Sequence, residues 1–176
     1  MAFTDALSVA DAGARPDVVS ADVFRDAMRE LAAGVTLVTS VFEFARAGCV
    51  VSSLASLSLT PPSVVVCLNG DSSTLRCIRA SGVFAVNILK PSHKSLVRRF
   101  SSPGIRGSER FSEGEWRRLA TGAPTLIDAL AVVDCRLDRI IEYATHAILI
   151  GAAAAVAKSG EGGALLHWRS RFEAME

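Results

Sequence analysis

The sequence predicts a mainly β domain, a barrel with a few helices plugging its ends, on three observations. Runs rich in Val, Ile, Thr and Phe recur along the chain between Gly, Pro, Asn and Asp breakers. Helical periodicity is confined to short stretches. Half of the 176 residues are hydrophobic and 21% are charged, which suits a packed core and not a disordered chain.

Residues 1–20 read as a flexible N-terminal tail, with Pro16 stopping any early helix, and residues 21–176 as one domain. Over 21–33, Val23, Ala27, Met28 and Leu31 share one helical face, with Ser20 placed to cap the start and Gly34 the end. VTLVTSVF (35–42) is a strand, EFARAG (43–48) a turn, and CVVSSLASLSL (49–59) a longer strand. In that strand the odd positions are mainly apolar, and the even positions carry Ser52, Ser56 and Ser58. Thr60-Pro61-Pro62 ends it, because a proline pair cannot donate to a central ladder. A buried strand (63–69), a short helix (72–80) and a further strand (83–89) follow. A helix from residue 92 leads into a polar excursion. Lys90 to Arg118 holds eight basic residues against three glutamates. Strands are expected over 129–143, 146–158 and 164–169.

Nineteen basic and eighteen acidic side chains nearly cancel, which argues against a nucleic-acid partner or an anionic membrane surface. The first twenty residues have neither a basic nor an apolar leader segment, and the longest apolar run, 147–157, is too short to span a bilayer. A cytoplasmic protein is expected. Cys49, Cys67, Cys77 and Cys135 lack C-x-x-C spacing and read as plain thiols, while His93, His146 and His167 show no metal spacing. There is no G-x-G-x-x-G after a strand, no P-loop and no G-x-S-x-G, so no nucleophile with its base is proposed and no metal is expected. A protein without these groups can still serve hydride transfer, because a cofactor performs the chemistry and the protein positions it.

GCVVSSLASLSLTPP (48–62) resembles the flavin-binding stretch of the flavin reductase-like, FMN-binding split-barrel family, where G-M-T-V-S-S-F-x-S-V-S-x-D-P-P is typical. The resemblance runs on through VVVCLNGDSSTLRCIRASGVFAVNIL, RRFSSPG, ERF and TGAPTLIDALAVVDCRL. It then reaches ATHAILIG, against G-D-H-T-I-x-x-G, and LLHWRSRF, against L-x-Y-H-R-x-x-Y, and covers roughly residues 22–172. It implies a Greek-key split β-barrel and a homodimer with flavin close to the subunit interface. It also implies the reductase component of a two-component flavin-dependent monooxygenase, with FMN or FAD reduced by NADH or NADPH.

By the same resemblance, Val51, Ser52 and Ser53 would hold the flavin ring edge, and Ser58 faces the same way as Ser52. Asn69, Ser72 and Thr74 would meet the phosphate or ribityl chain at a helix start. Arg110 and Phe111 would meet the phosphate side and pack near the ring. His146 would position the nicotinamide, and Arg171 and Phe172 take the places of a terminal Arg and Tyr. Departures stand at Val50 for Thr, at Gly70 and Asp71 for Arg/Lys-Ser, at Ala144 and Thr145 for Gly-Asp, and at Phe172, which lacks the phenol hydroxyl. A split-barrel protein that retains its flavin, a non-enzymatic flavin-binding module, and a barrel for heme or a deazaflavin are the alternatives.

Overall fold

A computed structural model describes residues 18–159 and 161–176; the tail expected over 1–20 therefore lies outside the described residues except for its last three. Helix α1 spans Ala21–Met28, capped by Ser20, whose hydroxyl accepts from the Val23 N–H at 3.4 Å. It stops short of the expected 33 because the backbone beyond it is claimed elsewhere: β1 (Ala33–Gly34) pairs with residues 166–167, and the Val35 N–H donates to the Leu165 carbonyl at 2.8 Å. Gly34 thus belongs to a strand, and α1 buries none of its residues.

Strands β2 (Thr36–Phe42) and β3 (Ala45–Val51) form a hairpin whose turn is Glu43-Phe44, so the expected six-residue turn closes in two. There follow β4 (Leu54–Leu59), β5 (Pro62–Asn69), α2 (Ser73–Ser81) and β6 (Val83–Ile88). Gly82, at φ 69°, ends α2 in the left-handed conformation that a side chain resists. Helix α3 (Lys94–Ser101) leads into the excursion, which carries a short 3-10 segment (107–112) and a small pair, β7 (Trp116–Arg118) and β8 (Pro124–Leu126). The long ribbon β9 (Ala131–Tyr143) and β10 (His146–Lys158) precedes β11 (Ala164–Trp168) and β12 (Arg171–Met175). The sequence reading did not separate β12.

The main sheet has seven antiparallel strands in the order β3-β2-β6-β9-β10-β5-β4. Its two edges, β3 and β4, are consecutive in the chain. Laid flat they would stand about 29 Å apart, at ~4.8 Å per neighbour. The step from Val51 to Leu54 reaches only about 10 Å. The sheet must therefore roll until its edges approach, which is the geometry of a split barrel, with a seam in place of a closing ladder.

Central strands β2 and β6 are buried on both faces, which is why they read as near-continuous apolar runs. Leu37, Ala85 and Val132 join Leu96, Val97 and Phe100 of α3 in one cluster. Val38, Phe84 and Val86 join Leu75 and Ile78 of α2 in the other. Buried polar groups tie β8 to the sheet: the Asn87 amide donates to the Leu37 carbonyl at 2.9 Å and accepts from the Leu126 N–H at 2.7 Å. The fully buried Asp134 carboxylate takes the Thr121 N–H at 2.8 Å as well as the Thr121 hydroxyl. Among the described residues no helix is long and apolar enough to cross a membrane.

The ribbon changes register between Ile150 and Gly151, where Phe84 crosses close to the backbone. A Cβ on Gly151 would stand 2.3 Å from Phe84 Cζ and 3.0 Å from Cys135 Cβ. Gly151→Ala should lower stability by about 1–3 kcal/mol in denaturant unfolding, by overpacking. Phe84→Leu in the same chain should make the Gly151→Ala change cost less than it does alone.

Candidate functional site

The stretch expected as one strand over 49–59 breaks at Ser52-Ser53, which bridge the seam between β3 and β4. Backbone pairing of β4 with β5 begins at Leu54↔Val66. One step earlier, the Ser53 hydroxyl replaces the backbone: it donates to the Cys67 carbonyl at 2.9 Å and accepts from the Cys67 N–H at 3.3 Å. Ser53 thereby extends the ladder by one rung. Ser52 is exposed and makes no hydrogen bond among the described residues. Adjacent serines divide the work, one fixing the seam and one free to meet a ligand.

Beyond Cys67, β5 ends at Asn69, which lies opposite His146 in the β5–β10 ladder. The Gly70 N–H donates to the Thr145 carbonyl at 2.9 Å, and the Asn69 side-chain oxygen accepts from the Asp71 N–H at 2.8 Å. Ser72 caps α2 by accepting from the Leu75 N–H at 3.1 Å. Four residues expected in the site (Asn69, Ser72, Ser53 and His146) are thus brought to one end of β5 from segments far apart in sequence. His146 is exposed, with Nδ1 2.9 Å from the Thr145 hydroxyl.

Two expected contacts have other tasks. Thr74 is 1% exposed and its hydroxyl faces the Cys49 thiol, so packing of α2 against β3 withdraws it from any ligand. Phe111 is 5% exposed, in an aromatic cluster with Phe100 and Trp116 at centroid distances of 5.0 and 4.9 Å; it is a core residue and offers no ring surface. Ser58 accepts from the Thr60 N–H at 3.0 Å, near the far end of β4 from Ser53. Arg171 is exposed at the start of β12.

Two cavities adjoin these elements. A small one, of about 190 Å³, is lined by Val35, Val50, Val51, Ser52, Ser101, His167 and Phe172. It unites three expected residues (Val51, Ser52 and Phe172) with His167, which sequence reasoning did not select. The larger, about 460 Å³, is lined by Ser73, Arg46, Arg76, Arg106 and Arg110 among others. Arg110 is spent as a brace: its guanidinium donates to the carbonyls of Ile105, Gly48 and Ser102 at 2.7, 3.1 and 3.1 Å. Arg76 donates to the Asp71 carbonyl at 2.7 Å, and Arg46 lies 5.6 Å from the Phe111 ring centroid. Among the described residues none of the four guanidinium groups pairs with a carboxylate. Uncompensated cations gathered in a concavity favour an anion there, and guanidinium suits phosphate. Arg110 was expected from the family resemblance; Arg106, Arg46 and Arg76 come from the excursion, β3 and α2, and only the fold gathers them. A third cavity, of about 330 Å³, lined by Glu113, Glu115 and Asp128 among others, shares no residue with these two.

Two of the thiols, Cys49 and Cys135, are poor nucleophiles. Burial raises the Cys49 thiol, against the opposing pull of Thr74 and Arg110. Burial together with the Asp134 charge pushes Cys135 up to about 12. The arrangement offers hydrogen bonds, an apolar slot and positive charge. Such groups suit binding and orienting a cofactor that carries its own reactive chemistry.

A family model described as a flavin reductase like domain matches residues 28–176. The chain is 36% identical over 162 residues to an FMN reductase (NADH) RutF of Ancylobacter novellus, covering 92% of this chain and 89% of that one. Its fold is similar to that of a Haemophilus somnus 129PT protein provisionally described as a flavin reductase, with a TM-score of 0.86, 33% identity, and coverage of 89% and 100%. It is also similar to nitrilotriacetate monooxygenase component B from Mycobacterium thermoresistibile, with a TM-score of 0.82, 29% identity, and coverage of 88% and 86%.

The turn that presents His146 holds Ala144 at φ 49°, a conformation glycine adopts freely. Ala144→Gly should leave stability unchanged or raise it by up to about 1 kcal/mol in denaturant unfolding, relief of the left-handed strain offsetting the entropy that glycine loses.

Proposed function

The chain belongs to the flavin reductase-like domain family, and on that premise we propose that it is an NAD(P)H-dependent flavin reductase whose reduced flavin leaves for a separate monooxygenase. The observation that carries the reading is the pairing of two unlike cavities beside α2 and the seam: one apolar with free hydroxyls, the other cationic. A flavin has the matching division, a flat heteroaromatic ring at one end and phosphate at the other. Val51 and Phe172 supply apolar surface, Ser52 a free hydroxyl, and Asn69 and His146 polar groups at the open end of β5. Arg46, Arg76 and Arg106 supply the charge for phosphate, while Arg110, tied to three carbonyls, keeps the excursion in place beneath them. When bound, the flavin is the hydride acceptor and the dinucleotide the donor. The protein's part is to hold the two in register and to exclude water. FMN with NADH is the favoured pairing, in line with the naming of the A. novellus relative; FAD and NADPH are the alternatives the same groove admits.

Loose binding suits this task, since a flavin that must leave cannot be held at nanomolar affinity. Gly70 and Asp71 stand where the family resemblance has a cation, in keeping with a weak hold. A homodimer belongs to the same reading. Helix α1 exposes Val23, Phe24, Met28 and Leu31 and buries nothing, and eight residues do not make a stable helix alone. Four unpaired cysteines suit a reducing, cytoplasmic setting.

Purified protein should oxidise NADH only when flavin is added, with a Kd for FMN in the micromolar range. Flavin that stays bound through purification would favour the retained-flavin alternative, and flavin binding without turnover the non-enzymatic module. Arg106→Ala should weaken FMN binding about tenfold or more and leave riboflavin, which lacks the phosphate, unaffected. Equal losses for both ligands would remove the phosphate assignment.

A further inference from the structure

Of the three histidines, one has both ring nitrogens engaged and a second has one. His93 Nδ1 accepts from the Lys90 N–H at 3.0 Å and Nε2 lies 3.0 Å from Asp128 Oδ2; His146 Nδ1 lies 2.9 Å from the Thr145 hydroxyl. His167 is half-buried, and neither of its nitrogens has a hydrogen-bond partner among the described residues. Alternation along β11 puts it on the face of Leu165, which is 1% exposed in the core. One rung further out, the same face opens into the small cavity. There the imidazole stands beside Phe172, its partner in the β11–β12 ladder, with centroids 5.5 Å apart and planes at 54°. The rest of the lining is apolar except for Ser52 and Ser101, which also have no hydrogen-bond partner among the described residues. A half-buried imidazole without a partner, with two exposed hydroxyls at the rim of an apolar slot, is what a polar-edged ligand satisfies. About 190 Å³ is too little for a whole cofactor, so the cavity takes one edge of a ring.

We propose that His167 is a positioning residue of this site, the hydrogen-bonding group that orients the polar edge of a bound flavin ring against Val51 and Ser52. A neutral imidazole offers one donor and one acceptor, and the pyrimidine edge of a flavin presents an N–H flanked by two carbonyls. Phe172 limits the tilt of the imidazole, and β1, paired with β11 at Ala33↔His167, fixes the backbone behind it. The inference rests on the flavin reductase reading and adds a residue to it.

The test is binding of riboflavin and FMN, followed by quenching of flavin fluorescence, with wild type, His167→Phe and His167→Gln. Phenylalanine keeps an aromatic ring beside Phe172 and removes both polar nitrogens; glutamine restores a donor and an acceptor. His167→Phe should weaken riboflavin and FMN about tenfold each, because the ring and not the phosphate is held, with the melting temperature unchanged. His167→Gln should bind both within about threefold of wild type and keep the visible absorption shift of the bound flavin. If His167→Phe does not fold, His167→Ala in the same assay is expected to show the same parallel loss. Unchanged riboflavin binding in the phenylalanine or alanine variant, or glutamine binding as weakly as they do, would overturn the assignment. A wild type that binds no flavin would instead overturn the reductase reading, and this inference with it.

Discussion

The fold depends on one topological constraint: consecutive strands β3 and β4 occupy opposite edges of a seven-stranded sheet and are separated by only Ser52-Ser53. Backbone reach then forces the sheet to roll. The rolled sheet keeps a seam, and at a seam backbone groups lack ladder partners, a cost that must be met locally. The Ser53 hydroxyl meets part of it by bonding both backbone groups of Cys67. With one serine fixing the gap, its neighbour and the end of β3 are left to face a ligand. The opening is therefore a product of the topology, and the residues proposed to face the ligand are those at its rim.

The same economy holds around the rim. Arg110 turns all three of its guanidinium nitrogens onto carbonyls and so converts an irregular excursion into a fixed wall. Arg46, Arg76 and Arg106, on three different elements, then stand at the cavity without carboxylate partners. Structural hydrogen bonds spent by Ser53, Ser72 and Arg110 hold the groups around them in place, and where a bound cofactor carries the chemistry such pre-organisation is the protein's main contribution.

Much of this was legible in the sequence, and the failures have physical causes. Strand β10 lies where it was expected, His146–Lys158, because a long apolar run between a turn and a charged end has few other readings. Helix α2 falls within a residue of its expected span, since Ser72 and Gly82 are strong end signals. The break at Ser52-Ser53 was hidden because the alternation has the same phase on both sides of it, with mainly apolar odd positions at Cys49 and Val51 and again at Ala55, Leu57 and Leu59. Nothing local distinguishes a strand that continues from one that crosses a seam. Thr74 and Phe111 sit at motif positions, yet burial removes both from the ligand side, and burial is a property of packing that no motif carries. Arg46, Arg76 and His167 were missed for the converse reason: each is unremarkable in its own segment and gains meaning only from neighbours supplied by other elements.

The position of the histidines bears on how the site recognises a ring. His146 is exposed on a turn, where a hydrogen bond to a ligand competes with water and contributes little net affinity. Its turn departs from the family resemblance at both preceding positions, Ala144 and Thr145, and Thr145 already engages its Nδ1. His167 is half-buried against apolar side chains, where a hydrogen bond competes less with water and counts for more. Phe172 beside it has no hydroxyl to offer, so the polar character of that wall falls to the imidazole. In the proposed function, with His167 in its proposed role, the task is divided: the wall built by β11 and β12 orients the ring, and the exposed turn meets the dinucleotide. A site divided in this way can hold the ring in one pose while keeping its mouth open, which is in keeping with the proposed release of reduced flavin.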